Sequence, residues 1–388
     1  MKKIFKFFVT LFFLLTVFLY PGEEKIKNGR WQGYEYPLYT GKKKIKTNYL
    51  ILTTGGSGGG FGKGDIHSHL NDIYFWDENT GVSCGYGGVF RTDDGGFTWK
   101  RLRERGSWYH IGMTGKNEIW LLEGFHGQPR ANLYLSKDGG KTWEKVLSED
   151  KLHGCGDLFC SGDIIWVIGS DFPSFYSTDR GKTWKKVYFW GSHKISIPGD
   201  YMSSNDGGYT IYILCDHRGK KTQKPYLKKS IDGGKTWENI ELPEQFSGMK
   251  RAYRWSLFFV DSMRGWIGLS EGNIGYTEDG GKTWELRKIE GCNQDVVALW
   301  FDKIGRGFAA VGNWDLHHLK NALYQTNDGG KTWRCVLSGQ KQINSIFGLG
   351  PDKIWACGTQ PSLIPNDLIA VSYTHLRAHE TSLHLVCR

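Results

Sequence analysis

One eight-residue pattern, S/T-x-D-x-G-x-T-W, occurs six times in this chain: TDDGGFTW (92–99), SKDGGKTW (136–143), STDRGKTW (177–184), SIDGGKTW (230–237), TEDGGKTW (277–284) and TNDGGKTW (326–333). Its aspartates, Asp94, Asp138, Asp179, Asp232, Asp279 and Asp328, fall at intervals of 44, 41, 53, 47 and 49. Self-similarity at such a period means stacked supersecondary units, each unable to bury its apolar face alone. All 388 residues can therefore serve one repeat domain instead of two or three separate ones.

The residue types suit a tight hairpin. An Asp carboxylate can accept hydrogen bonds from the amides of its own turn. The glycines supply positive φ, and Arg180 shows that the position after the Asp tolerates exchange. Trp99, Trp143, Trp184, Trp237, Trp284 and Trp333 open the following strands and bring large apolar bodies for packing. Six identical copies point to a structural role, since a catalytic centre needs one. Each unit reads as strand A, strand B, strand C, turn, strand D. Blade 6 shows this as DVVALWFD (295–302), RGFAAVGN (306–313), ALYQT (322–326) and KTWRCVL (331–337). Four short strands per repeat, 15% aromatic residues and 53 glycines predict an all-β fold, a β-propeller.

The S/T-x-D-x-G-x-T-W run resembles the Asp-box (BNR) repeat of sialidases, xyloglucanases and sortilin-type propellers. The longer unit FFVDSMRGWIGLSEGNIGYTEDGGKTWE (258–285) is more similar to the Ycf48/HCF136 photosystem II assembly factor family, and IYFWDENTGVSCGYGGVFRTDDGGFTWKRL (73–102) repeats its layout. The resemblance covers residues 68–358. It is specific for the fold and weak for the function. It implies a WD40/YVTN-like ring that assists assembly of a membrane complex.

A seventh unit begins with INSIFGLGPD (343–352) and KIWACGT (353–359), with LIAVS (368–372) as its third strand and no seventh Asp-box. In RWQGYEYP (30–37), Pro37 follows Trp31 by six residues, as Pro243 follows Trp237. The expectation is therefore seven blades, with this N-terminal strand supplying strand D of the seventh and closing the ring. Residues 371–388 have no repeat character and read as a non-native tail beyond a propeller of residues 22–370.

In an up-down blade the A–B and C–D turns share one face, and the B–C and D–A loops share the other. The B–C loops are long in blade 2 (123–132), blade 4 (215–225), blade 6 (312–321) and blade 7 (358–367). Loop elaboration on a rigid scaffold is where binding commonly resides. The candidate binding residues are His126, Arg130, His217, Arg218, Trp314, Asp315, His317 and His318 on those loops. Trp108, Tyr109, His193, Arg251 and Arg254 join them from D–A loops. Ordinary solvated loop polarity is the competing reading. No metal site is expected, because adjacent His317 and His318 would need distant further ligands. No cofactor is expected either, since TTGGSGGGFGKG (53–64) reads as a linker and not as a phosphate loop.

Residues 1–20, MKKIFKFFVTLFFLLTVFLY, carry lysines and then an apolar run, the layout of an export signal. No small-x-small cleavage site follows, so residues 1–21 read as either a cleaved signal peptide or a retained N-terminal anchor. The expected location is periplasmic, cell-surface or extracellular. The formal charge of +10 falls to +6 once Lys2, Lys3 and Lys6 and the net +1 of residues 371–388 are removed. That mild basic excess favours acidic partners but is too diffuse for nucleic acid. The eight cysteines show neither CxxC nor zinc spacing, and Cys84, Cys215 and Cys357 read as buried hydrophobes on strand B.

Together these features predict an exported, monomeric, non-catalytic propeller binding a protein or polysaccharide, in the assembly of an envelope or membrane complex. Contact with the membrane is expected only through the N-terminal segment. The alternative is a secreted glycoside hydrolase of the sialidase or xyloglucanase type. Against a sialidase, no Arg-x-Pro occurs anywhere in the chain.

Overall fold

The computed structural model describes residues 70–360 apart from 97, 125–130, 149–151, 153–155, 170–172, 189–201, 205–206, 216–225, 248–255, 313–320, 340–341 and 351–352. It also describes short strands at 36–37, 51–55 and 371–373. The fold is an all-β propeller. Six blades, at residues 70–103, 108–147, 157–187, 202–241, 256–288 and 295–339, are each a four-stranded antiparallel meander. Among the described residues the one helix is Glu244–Ser247.

The A strands, from Leu70–Phe75 in blade 1 to Asp295–Phe301 in blade 6, neighbour one another around the centre. In every blade the amide just after the box Asp donates to a carbonyl of that blade's own A–B turn: Gly95 to Asn79, Gly139 to Asn117, Arg180 to Asp163, Gly233 to Tyr209, Gly280 to Met263 and Gly329 to Gly305. The A–B and C–D turns thus share one face, as the strand order requires.

Adjacent blades are joined by an aromatic stack that recurs at three interfaces. Tyr212 of blade 4 lies on Phe259 of blade 5 (centroids 3.5 Å), and Trp266 of blade 5 on Phe301 of blade 6 (3.8 Å). Trp355, on the strand Lys353–Gln360 that follows blade 6, lies on Phe75 of blade 1 (3.8 Å). Each of these phenylalanines covers a glycine six residues further on. A Cβ at Gly81, Gly265 or Gly307 would lie within 2.6 Å of the ring. A side chain there would unseat the stack, and overpacking of this kind typically costs about 1–3 kcal/mol.

The expected seven-bladed ring with N-terminal closure is corrected. After the six blades the chain adds an incomplete sheet, the hairpin Gln342–Gly350 and Lys353–Gln360. The outer edge of that hairpin is shared. Val371–Tyr373 pairs antiparallel with Ile354–Ala356, and Ile51–Gly55 pairs parallel with Ala356–Gln360. Tyr36 and Pro37 instead pair with Trp99 and Thr98, as a fifth strand on blade 1. Pro37 has no amide to donate, so an outer edge is where such a strand is tolerated.

Thr53–Gly55 is strand and not linker, and Val371–Tyr373, expected in the tail, continues the hairpin sheet as the third strand foreseen at 368–372. The signal segment 1–21, residues 30–35 and the rest of the tail lie outside the described residues. Cys84, Cys215 and Cys357 are buried on B strands and unbridged.

Candidate functional site: the turns, the binding face and the inner wall

The six boxes share one hydrogen-bond arrangement. In blade 5, Thr277 Oγ1 donates to Asp279 Oδ1 (2.9 Å) and accepts from the Gly281 amide (2.9 Å). The Thr283 amide donates to Oδ1 (2.9 Å), its hydroxyl to Oδ2 (2.6 Å), and Trp284 Nε1 to the Gly281 carbonyl (2.9 Å). The Thr hydroxyl reaches its Asp at 2.6–2.7 Å in all six. Hydrogen bonds to the ionised form hold the carboxyls of Asp138, Asp179, Asp232, Asp279 and Asp328 below the usual carboxylate range. For Asp179 the Thr183 hydroxyl is the leading cause and the value falls to about 2. For Asp279 and Asp328 burial opposes the shift, but the Thr283 and Thr332 groups outweigh it and both fall to about 2.

The second box glycine has a further reason to be glycine. A Cβ at Gly181 would sit 2.4 Å from Trp120, and one at Gly234 2.3 Å from Trp166, each tryptophan belonging to the preceding blade. The boxes are therefore both turn locks and interblade seats.

On the opposite face, two of the thirteen candidate binding residues are described, Trp108 and Tyr109. Trp108 is buried, its Nε1 donates to the Glu104 carbonyl (2.9 Å), and the Arg103 guanidinium stacks 4.4 Å from its ring. It is therefore interblade packing and not an open contact. Tyr109 is half-buried and shares a hydroxyl hydrogen bond (3.2 Å) with Tyr86 of the blade 1 B–C turn. Beside them Tyr134 donates its hydroxyl to Glu123 (2.9 Å), and Asn132 Nδ2 donates to the same oxygen (2.8 Å). Burial, and then Glu123, push Tyr134 up to about 12. His126, Arg130, His193, His217, Arg218, Arg251, Arg254, Trp314, Asp315, His317 and His318 lie outside the described residues. Among the described residues no group of three or more His, Cys, Asp and Glu is placed to hold a metal ion.

The inner wall holds polar groups that sequence reasoning missed. Asp72, His110 and Asp157 come from the A strands of blades 1, 2 and 3. His110 Nδ1 lies 3.4 Å from Asp72 Oδ2 and 3.7 Å from Asp157 Oδ1. The signal was available as charged or titratable residues inside otherwise apolar A strands, LNDIYF, WYHIGMTG and DLFCS.

A BNR/Asp-box repeat model matches residues 134–145 and 175–186, the boxes of blades 2 and 3. The chain is an Asp-box β-propeller. It is 22% identical over 360 residues to xyloglucanase Xgh74A of Acetivibrio thermocellus, covering 77% of this chain and 40% of that protein. Among solved structures, "YCF48 bound to D1 peptide" superposes with TM-score 0.58 at 18% identity, covering 80% of this chain and 94% of that one. The GH74 enzyme of Niastella koreensis gives TM-score 0.58 at 17% identity, with 80% and 52% covered. At these identities the likeness of this Asp-box propeller to the solved structures is one of fold. The chain spans about 40% of the length of that xyloglucanase.

Proposed function

We propose that this chain is an exported, non-catalytic Asp-box propeller that binds a protein segment on its B–C/D–A face and serves assembly of an envelope or membrane complex. One observation carries this reading. The propeller fold is shared, at TM-score 0.58, with a structure solved with a peptide bound. The matched structure's peptide gives the partner class, and the mild basic excess of the domain favours acidic segments. Aromatic and cationic side chains suit such a ligand or a sugar face. A glycan partner is the second form of the same reading. The hydrolase alternative is supported by the 22% identity to the xyloglucanase.

The test is binding of acidic peptides to the full chain by calorimetry, with Arg251→Glu and Trp314→Ala as variants. The reading expects each to weaken binding by roughly tenfold or more, as loss of an interface anchor does. Added salt should weaken it further. Unchanged affinity in both folded variants would remove the binding site from this face.

A further inference from the structure

Three A strands that belong to different blades meet through one imidazole. His110 is almost wholly buried, with 5% of its side chain exposed, and the carboxylates beside it expose 15% (Asp72) and 8% (Asp157). Each carboxylate is furnished with donors suited to its anionic form. Asp72 Oδ1 accepts from the Ile73 amide (2.8 Å) and from Ser345 Oγ (2.9 Å), and its Oδ2 accepts from the Ile111 amide (3.1 Å). Asp157 Oδ1 accepts from the Leu158 amide (2.7 Å).

Two buried anions therefore face the same ring nitrogen. An acceptor nitrogen there would repel both, so Nδ1 carries hydrogen. A second proton on the ring would supply a positive charge between them, and burying like charges without compensation is costly. Among the described residues, Cys84 on strand Gly81–Gly85 and Cys160 on Asp157–Ser161 are titratable groups that interact with these carboxylates, and Glu118 on Glu118–Gly124 and Tyr74 on Leu70–Phe75 interact in turn with Cys160. Burial first, and then Asp72, push both thiols well above their ordinary value, so neither is a charge source at neutral pH. Asp157 and Glu118 act on Cys160 in the same sense. Asp72 also ties in the hairpin after blade 6 through Ser345, so one hub touches the start and the end of the ring.

We propose that His110 is held as an imidazolium between Asp72 and Asp157, forming a clasp across blades 1, 2 and 3 that opens when alkaline pH removes its proton. The sign follows from the charge. The attraction is present while the ring is protonated and disappears as pH rises through its titration. Histidines in open surroundings deprotonate near 6.5, so the clasp should outlast them.

The full wild-type chain, labelled at its histidine side chains, tests this by NMR from pH 5.5 to 9.5, alongside its near-ultraviolet melting temperature over the same range. One imidazole should stay protonated after the other histidines have titrated. The melting temperature should fall through that same late step, and Asp157→Asn should move the step to lower pH. His110→Gln should flatten this dependence, and it serves to assign the resonance. If His110→Gln does not fold, the wild-type titration and the Asp157→Asn shift still decide the matter. No late-titrating imidazole, or a melting temperature that stays flat while it titrates, would overturn the clasp.

Discussion

Trp355 donates its Nε1–H to the carbonyl of Gly95 at 2.9 Å and lies with its indole 3.8 Å from the ring of Phe75. Those contacts join residues 260 and 280 positions apart and close the ring. Trp266 makes the same pair of contacts two interfaces earlier, stacking on Phe301 and donating to the Gly329 carbonyl at 2.9 Å. The hairpin of Gln342–Gly350 and Lys353–Gln360 therefore engages blade 1 as blade 5 engages blade 6, although it is not a complete blade.

Trp355→Ala should destabilise the propeller by about 3–5 kcal/mol, the range for deleting a buried tryptophan. Trp355→Phe keeps the ring on Phe75 and loses the hydrogen bond, leaving the Gly95 carbonyl unpaired, at about 1–3 kcal/mol. Urea denaturation of the two variants checks the order, and equal losses would mean that the stack contributes nothing.

Asp279→Ala removes the acceptor of the Thr283 amide and hydroxyl and of the Thr277 hydroxyl. A loss of about 1–3 kcal/mol is expected, with ligand binding intact. Thermal melting and a binding isotherm on the same preparation separate the two effects. An Asp279→Ala protein that melts normally but has lost an activity would show that the box is a functional site.

The box carboxyls also fix a pH window. The folded values of Asp179, Asp279 and Asp328 are depressed to about 2, against about 3.9 in an unfolded chain. Groups of this sign add stability above the unfolded value and lose it as pH falls through the folded one. Stability should accordingly hold at pH 5 and decline cooperatively between about pH 4 and 2. Tryptophan fluorescence against pH reads it, and removing one box Asp should shift the acid midpoint upward.

The turns were legible because their physics is local. An Asp, a hydroxyl two residues before it and a Thr-Trp pair four and five after it are enough to specify the hairpin, and all six copies bear this out. Ring closure was not legible. The spacing of Trp31 and Pro37 imitates a strand D, but edge strands carry little information about which edge they join, and Tyr36–Pro37 pairs with blade 1. Trp108 looked like a mouth residue because it begins blade 2 just after a D–A loop; its burial against Arg103 depends on the neighbouring blade. The Asp72–His110–Asp157 cluster escaped because its members are 38 and 47 residues apart and meet only where the A strands converge.

The central claim, binding without covalent chemistry, is tested most directly by incubating the purified full chain with xyloglucan and with a sialoside at concentrations where peptide binding saturates, and analysing the products by chromatography. The account predicts intact substrates alongside measurable, salt-sensitive peptide binding. Release of oligosaccharide or sialic acid, abolished by changing a single acidic residue, would contradict it and make the chain a glycoside hydrolase.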